Sequence, residues 1–450
     1  MKVCKFGGSS LADANQIRKV CEIILADPQR RAVVVSAPGK RYNRDTKVTD
    51  LLIALANAII SGYDGSRELD AVVSRFSLII DDLHLDEGLT ETIANDIQNR
   101  VNSYDGNRNL FLDTMKAAGE DNCAKLVAAY LNEIGEDAIY VNLLETGFYL
   151  TNDYGHVKVL PETYDNIYRL NKHNEVLIFP GFFGFNKKGE ILTFSRGGSD
   201  ITGSIIAAAL RASIYENWTD VDNVYSVNPN LVKDPHPIKE ITYDEMRELA
   251  YAGFTVLHEE ALEPAVRRNI PVNIRNTNNP EADGTQIVSK RTNYDGILTG
   301  IAGKKGFVVL HLSKYLMNGE VGFALKVLQI LADLHIPFDH MPSGIDSLSI
   351  VMREEDFNSD KEKIVIDRLK NELKVDEVHV QRNVSIVMIV GAAMSQTVGV
   401  TSRACGALSH SGINIEFIVQ GASEISIMFG IKEAFCNYAV QALYHEFYPF

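Results

Sequence analysis

The sequence predicts an α/β chain: a mostly parallel sheet sandwiched by helices over residues 1–292, followed by two small ferredoxin-like α+β units at 293–383 and 384–450. Three observations carry this. Short apolar strands alternate with amphipathic helices through the first two thirds, the pattern of parallel crossover units. Two strands run straight into glycine turns, Gly7-Gly8-Ser9-Ser10 and Gly197-Gly198-Ser199-Asp200. The last third repeats itself at an offset of 77 residues, Val321-Gly322-Phe323 matching Val398-Gly399-Val400.

Taken in order, Met1–Phe6 is a short apolar strand and 12–26 a helix with Ile17, Val20, Cys21 and Ile24 on one face. Ala32-Val33-Val34-Val35 reads as a buried strand that stops at Pro38-Gly39. A helix is expected over Val48–Ile60, a helical insertion over 66–116 and a further helix over 121–131. Strands at 176–179 and 191–194 lead to the second glycine turn, where Ser199 or Asp200 is placed to cap a helix over 201–210. A strand at 214–218, a helix at 242–252 and a closing strand at 272–275 complete the large unit. Each repeat copy reads strand, helix, strand, strand, helix, the opening of a β-α-β-β-α-β unit. The second copy shows no obvious last strand, and 296–301 is expected to supply it from upstream.

Composition narrows the function classes. A formal charge of −15 argues against nucleic acid or an anionic membrane as the main partner. Five scattered cysteines (Cys4, Cys21, Cys123, Cys405, Cys436) form no CxxC pair, which fits a reduced, cytoplasmic protein. Lys5 interrupts the first apolar stretch, so no signal peptide is expected, and no apolar run nears the ~18 residues that span a bilayer. An acidic chain that binds anions must gather positive charge locally, which singles out Lys5 and Arg196 beside the two glycine turns. Such turns present backbone N–H groups to phosphate oxygens. Lys5 precedes its glycines, so the turn is not a standard P-loop.

Lys5-Phe6-Gly7-Gly8-Ser9-Ser10 and Phe194-Ser195-Arg196-Gly197-Gly198-Ser199-Asp200 resemble signatures of the aspartate kinases in the amino-acid kinase superfamily. Trp218-Thr219-Asp220-Val221-Asp222-Asn223-Val224-Tyr225 resembles the nucleotide-binding stretch of that family, and Ile270-Pro271-Val272 with Asn276-Thr277 matches a fourth motif. The repeat resembles the paired ACT domains of these enzymes, so the likeness covers nearly the whole chain.

The resemblance implies ATP as co-substrate, L-aspartate as acceptor, and Mg²⁺ held mainly through the ATP phosphates with no protein metal site. By motif, Lys5 would stabilise charge on the γ-phosphoryl group, Gly7, Gly8 and Ser9 would line the phosphate path, and Asp200 would hold Lys5. Arg196 would clamp a substrate carboxylate. Gly197, Ser199 and Thr49 would contact substrate, and Glu120 would face its ammonium. Thr219, Asp220 and Tyr225 would contact adenosine and ribose.

Two basic residues usual in relatives are replaced, by Asn230 and Thr255. Lys233 or the loop Lys40-Arg41-Tyr42-Asn43-Arg44 is a candidate to compensate, the loop equally a solvated turn. In His258-Glu259-Glu260 the position that a second histidine would need is Leu262, so no zinc helix is expected. Trp218 is expected in the core, and the charges of 372–377 at the surface.

The ACT resemblance further implies feedback by a small amino acid, lysine first and threonine second. Met317, Gly322, Phe323, Ala324 and Asp339 match the effector region of lysine-sensitive relatives. Exposed sheet edges and helix faces expected in the repeat point to a homodimer formed through it, or a tetramer. Two other readings stay open at this stage: a kinase of the same fold acting on glutamate or acetylglutamate, and an amino-acid-binding regulator with a degenerate kinase domain.

Overall fold

The first strand, Lys2–Phe6, lies near the middle of an eight-stranded sheet, with Ile214–Thr219 on one side and Arg30–Val35 on the other. The order across the sheet is Glu240–Thr242, Thr285–Val288, Val272–Asn276, Ile214–Thr219, Lys2–Phe6, Arg30–Val35, Val176–Pro180, Ala138–Tyr140. All neighbours are parallel except Val272–Asn276 with Thr285–Val288. Val272–Asn276 therefore does not close the sheet as expected, because two further strands lie outside it. This computed structural model describes all residues except 196, 255–258, 292–293, 295, 422–423 and 449–450.

Side-chain alternation divides the central strands between two layers. Cys4, Phe6, Val33, Val35 and Trp218 join one apolar cluster with Leu11, Ile17, Leu52, Phe76 and Phe111 from the N-terminal helices. These helices are Ala14–Leu25, Val48–Ile60, Ser66–Asp82, Gly88–Asn102 and Arg108–Glu133. The last absorbs the separate helix expected at 121–131 into one element of 26 residues, because no proline interrupts it and Gly119 is tolerated inside it. Helix Gly198–Leu210 packs on the opposite face. Strand Ile191–Thr193 lies outside the main sheet and forms a hairpin with Phe183–Phe185.

The chain forms two compact units that do not follow chain order. One holds Met1–Val224, Pro237–Met246 and Thr255–Thr292; the other holds Tyr225–His236, Arg247–Phe254 and Asn293–Phe450. Val227 and Val232 belong to the core of the second unit, packed with Ile301, Val387, Phe429 and Val440.

That second unit is built on one antiparallel sheet in the order Ser347–Arg353, Gly300–Ser313, Glu377–Val390, Ser426–Lys432, Phe417–Gln420. Its two 14-residue strands pair along their length, from Gly300 opposite Val390 to Ser313 opposite Glu377. Gly300 and Ile301 thus lie within the sheet of the second repeat copy. The repeat is visible as paired helices of 11 residues, Phe323–Asp333 and Val400–His410. Each is preceded by a left-handed glycine, Gly322 at φ +78° and Gly399 at φ +87°, where any other residue would be strained. Among the described residues, no helix is long and apolar enough to cross a membrane.

Candidate active site

The glycine turns gather where the strand order reverses, outside the carboxyl ends of Lys2–Phe6 and Ile214–Thr219, which is the usual ligand crevice of such sheets. Register explains what meets there. Lys5 pairs with Asn217 across the two strands, so both side chains leave the same face, toward helix Gly198–Leu210. Asp200, in the first turn of that helix, receives both: Lys5 Nζ lies 2.6 Å from Asp200 Oδ1, and Asn217 Nδ2 donates to the same oxygen at 2.9 Å. The Tyr215 hydroxyl donates to the Asp200 carbonyl oxygen at 3.1 Å. Asp200 therefore does not cap its helix. The cap position is Gly197, left-handed at φ 59°, with no side-chain cap bond, and Ser199 lies inside the first turn.

The first glycine turn also differs from expectation. After Phe6 comes a single tight 3₁₀ turn, Gly8–Leu11, and the α-helix starts only at Ala14, capped by Asp13. No α-helix dipole therefore points from Gly7 and Gly8. What the glycines provide is close approach. Gly39 N–H donates to the Gly8 carbonyl at 2.8 Å, and a Cβ on Gly39 would come within 2.5 Å of Gly8 backbone atoms. A Cβ on Gly8 would meet the Ala37 carbonyl oxygen at 2.9 Å. Gly7 N–H is taken by the Trp218 carbonyl at 3.1 Å. Ser9 is exposed, whereas Ser10 is buried and shares a 2.8 Å hydrogen bond with Thr277.

Glu120 lies in helix Arg108–Glu133 beside the Ala37–Gly39 loop, because Gly119 lets that helix approach: a Cβ there would come 2.7 Å from Ala37 Cβ. Glu120 is buried, and its Oε2 has no hydrogen-bond partner among the described residues. Burial pushes its carboxyl up to about 8, against a smaller downward pull from the Ala37 backbone N–H. A buried acid with an empty acceptor is suited to receive a cation.

Thr49 lies in the first turn of helix Val48–Ile60 and lines a cavity of about 470 Å³ with Asn109, Asp113, Phe182, Thr193 and Ser195. Asp113 accepts from Thr193 N and Oγ1 at 3.0 and 2.8 Å, tying the strand before the second glycine turn to the long helix. Phe182 is left-handed at φ 74° and is held by Thr202, whose hydroxyl accepts the Phe182 N–H at 3.0 Å. Backbone strain at a cavity wall is common at functional sites.

Thr219 ends its strand, and its carbonyl accepts Thr277 N–H at 2.9 Å, while Asp220 is exposed in the following turn. Asp222 Oδ1 accepts from Asn276 and Asn279 at 2.8 and 3.1 Å, fixing the 219–223 turn to the 276–279 loop. Tyr225 belongs to the second compact unit. Arg196, Thr255 and His258 lie outside the described residues. In the basic loop, Arg41 is committed to Asp45 through two bonds of 2.8 and 2.9 Å, with Arg75 on the same carboxylate. Arg41 first, then Arg75, hold the Asp45 carboxyl well below the usual carboxylate range. Lys40 and Arg44 are exposed.

Trp218 is fully buried and stacks on Phe6 at 5.9 Å. Under it, Glu216 bonds Arg30 at 2.8 Å. Burial alone would raise the Glu216 carboxyl, but the Arg30 bonds outweigh it and hold it low.

Asn217, Asp113 and Gly39 were missed by sequence reasoning. A signal existed for the first: Tyr215-Glu216-Asn217-Trp218 places two polar residues within a central strand, and each buried polar group needs a partner. Gly39 and Asp113 gave no such signal, since their partners lie far away in the chain.

Among the described residues, no group of three histidine, cysteine or carboxylate side chains is arranged to hold a metal. In the second unit, Met317 and Phe323 are buried and Gly322 opens the helix Phe323–Asp333, with Ala324 in its first turn. Asp339 is already engaged by Tyr251 and Arg353.

The Amino acid kinase family matches residues 1–276 and an ACT domain matches residues 387–447. Aspartokinase 3 of Bacillus subtilis is 52% identical over 448 residues, covering 100% of this chain and 99% of that protein. The Clostridium acetobutylicum aspartate kinase structure superposes with a TM-score of 0.86 at 37% identity, covering 99% of this chain and 100% of that one. Escherichia coli aspartokinase III, at 26% identity, superposes with TM-scores of 0.80 in its complex with aspartate and ADP and 0.74 in its complex with lysine and aspartate. Those two cover 99% and 100% of this chain, and 99% of each partner structure. A helix-sandwiched, mostly parallel sheet with clustered glycine turns, joined to an antiparallel regulatory sheet, places this chain in the amino acid kinase family, among the aspartate kinases with C-terminal ACT domains.

Proposed function

We propose that the chain transfers the γ-phosphoryl group of ATP to the side-chain carboxylate of L-aspartate, giving β-aspartyl phosphate and ADP at the head of lysine, threonine and methionine synthesis. The observation that carries this is the Lys5–Asp200–Asn217 cluster beside both glycine turns. Aspartate's carboxylate has a pKa of ~3.9 and is ionised at neutral pH, so attack on the γ-phosphorus needs no general base. One carboxylate oxygen bonds to phosphorus while the bond to the β,γ-bridging oxygen breaks. The protein's task is alignment and charge neutralisation.

Asp200, itself fixed by Asn217, holds Lys5 at the end of its strand, so its ammonium is in place before the phosphates arrive. Gly7, Gly8, Ser9, Gly197 and Ser199 line the approach, Thr49 contributes from the cavity, and Arg196 holds a substrate carboxylate by motif. Glu120, with its unpartnered oxygen, takes the α-ammonium; this favours free aspartate over N-acetylated acids. Thr219, Asp220 and Tyr225 hold the nucleoside. Mg²⁺ would be carried by the ATP phosphates with Asp200 nearby, and it would draw off developing negative charge.

Trapping with hydroxylamine tests this: ATP and Mg²⁺ are supplied with aspartate, glutamate or acetylglutamate. Hydroxamate from aspartate is expected. Its absence would reject the substrate, and equal yields from glutamate would favour the small-acid alternative.

Regulation by an amino acid, lysine before threonine, rests on the effector motif and on the lysine-bound E. coli relative. Met317, Gly322, Phe323, Ala324 and Asp339 would form the site. A homodimer through the repeat, or a tetramer built from it, is supported by Val321 and Val398, which stand 95% and 100% exposed at equivalent repeat positions. The five unpaired cysteines support a reducing compartment, the cytoplasm.

A further inference from the structure

Asp339 is not a vacant carboxylate. The Tyr251 hydroxyl donates to its Oδ1 at 2.8 Å, and Arg353 Nε lies 3.5 Å from its Oδ2. The three form a packed group: the Arg353 guanidinium lies 5.5 Å from the Tyr251 ring centre and 4.0 Å from that of Phe307, and His340 meets the Tyr251 ring edge-on at 5.7 Å. The backbone of this group is anchored, since Asp339 N–H donates to the Val351 carbonyl and Val351 N–H to that of His340, both at 2.8 Å.

Tyr251 ends helix Tyr243–Tyr251, which begins in the kinase unit at Tyr243–Met246 and finishes in the regulatory unit. Its first turn is fastened in the kinase unit: the Tyr243 hydroxyl donates to the Ile270 carbonyl, and Glu245 accepts from Thr242 and pairs with Arg291. Its last turn is seated on the regulatory sheet. Leu249 packs over Gly300, where a Cβ would come within 2.8 Å, and Gly253 lies against the Gly303 carbonyl. The helix thus begins among residues of the kinase unit and ends at Tyr251, which bonds the carboxylate assigned to the effector.

We propose that Tyr251 is the residue through which an amino-acid effector acts on the kinase unit: the effector's ammonium displaces the Tyr251 hydroxyl from Asp339 and frees the end of the helix. This rests on the placement of the effector at Asp339. The effector ammonium brings a full positive charge to the Asp339 carboxylate, which the neutral Tyr251 hydroxyl does not, so the exchange is favourable. Because hydroxyl and effector exclude each other at one oxygen, the helix end has two states that the effector binds unequally, which coupling requires.

The test is Tyr251→Phe in the full chain, a change that keeps the ring against Arg353 and His340. Binding of L-lysine and L-threonine is measured by calorimetry, and their effect on aspartyl hydroxamate formation is measured in parallel. Because the variant lacks the bond that the effector breaks, its turnover without effector shifts toward the level that saturating effector gives in the wild type. The Kd of the effective amino acid falls by about ten- to a hundredfold, the weight of one hydrogen bond to a charged group, while its maximal effect on turnover shrinks. Any other combination, including wild-type values of both, overturns the proposal. Asp339→Asn separates this from the parent reading: if effector still binds that variant as it binds wild type, the site itself is misplaced. In the unaltered protein, effector should quicken amide exchange over 247–254, and unchanged exchange also counts against the relay.

Discussion

Lys5 is held by Asp200, which Asn217 in turn fixes from another element, so its position survives without substrate. Replacing it with alanine leaves the Asp200 carboxylate with Asn217 as its side-chain partner among the described residues and removes the cation from the phosphate path. We expect Lys5→Ala to lower kcat by about 10²–10³-fold or more, the scale of losing one transition-state donor, with effector affinity by calorimetry unchanged. Loss of effector binding as well would refute the division of labour between the units. Glu120 makes a second prediction at this scale. Its folded pKa of about 8 exceeds the ordinary carboxylate value, so the folded state holds a proton that the unfolded state has released between about pH 4.5 and 8. Stability contributed by this group is therefore complete at low pH and falls as pH rises through that window. Glu120→Gln should flatten the fall of Tm between pH 5 and 8. An aspartate ammonium drawn to Glu120 should also expel that proton, so the binding enthalpy at pH 7 should vary with the ionisation enthalpy of the buffer. In Glu120→Gln this variation should vanish and KM should rise; buffer-independent binding in wild type would exclude the pairing. Lys5 and Glu120 were legible from the sequence as motif residues. The burial that changes Glu120's chemistry was not, since it comes from Gly119 and Ala37 meeting across 82 residues of chain.

Among elements, the decisive feature is how closely backbone segments pass. Gly39 and Gly8 touch main chain to main chain, and the Gly7–Leu11 turn is shaped by that contact more than by a helix dipole. Gly39→Ala should destabilise the protein by about 1–3 kcal/mol through overpacking and should lower kcat by displacing the turn that carries Gly7 and Gly8. A variant with wild-type Tm and turnover would show that the loops can separate freely. Gly322 is the contrasting case. Its left-handed φ is strained for any other residue, yet a Cβ there would meet nothing within 4 Å. Gly322→Ala should therefore cost about 1–2 kcal/mol from backbone strain alone, measurable by denaturant unfolding. Strand and helix existence followed well from apolar periodicity: Val48–Ile60 matches its expected bounds, while the first helix starts two residues late. The Ile191–Thr193 hairpin and the two outer strands beyond Val272–Asn276 were not foreseen, because short strands carry too few residues for a period to show.

At the scale of the molecule, the kinase and regulatory units interleave along the chain. A fragment ending at residue 292 keeps Tyr225–His236 but loses the regulatory core into which Val227 and Val232 are packed. Such a fragment should expose these side chains and bind hydrophobic dye, with broader unfolding than the full chain; a cooperative, dye-silent fragment would contradict the packing. Assembly gives a separate test. Val321→Asp together with Val398→Asp should shift the chain toward monomer in sedimentation, with the kinase unit's melting unchanged. Unaltered sedimentation would direct attention to another surface.

The sequence by itself determined the alternation of strands and helices, the two glycine turns, the 77-residue repeat and the family signature, because these are local patterns of residue type and spacing. Tertiary structure alone decided which residues share an oxygen. Asn217 joins Lys5 on Asp200 only because strand register places the two side by side. Asp339, seemingly a free effector ligand in the sequence, is held by Tyr251 from 88 residues away. Such pairings depend on through-space distances of about 3 Å between segments far apart in the chain, and no local pattern encodes them.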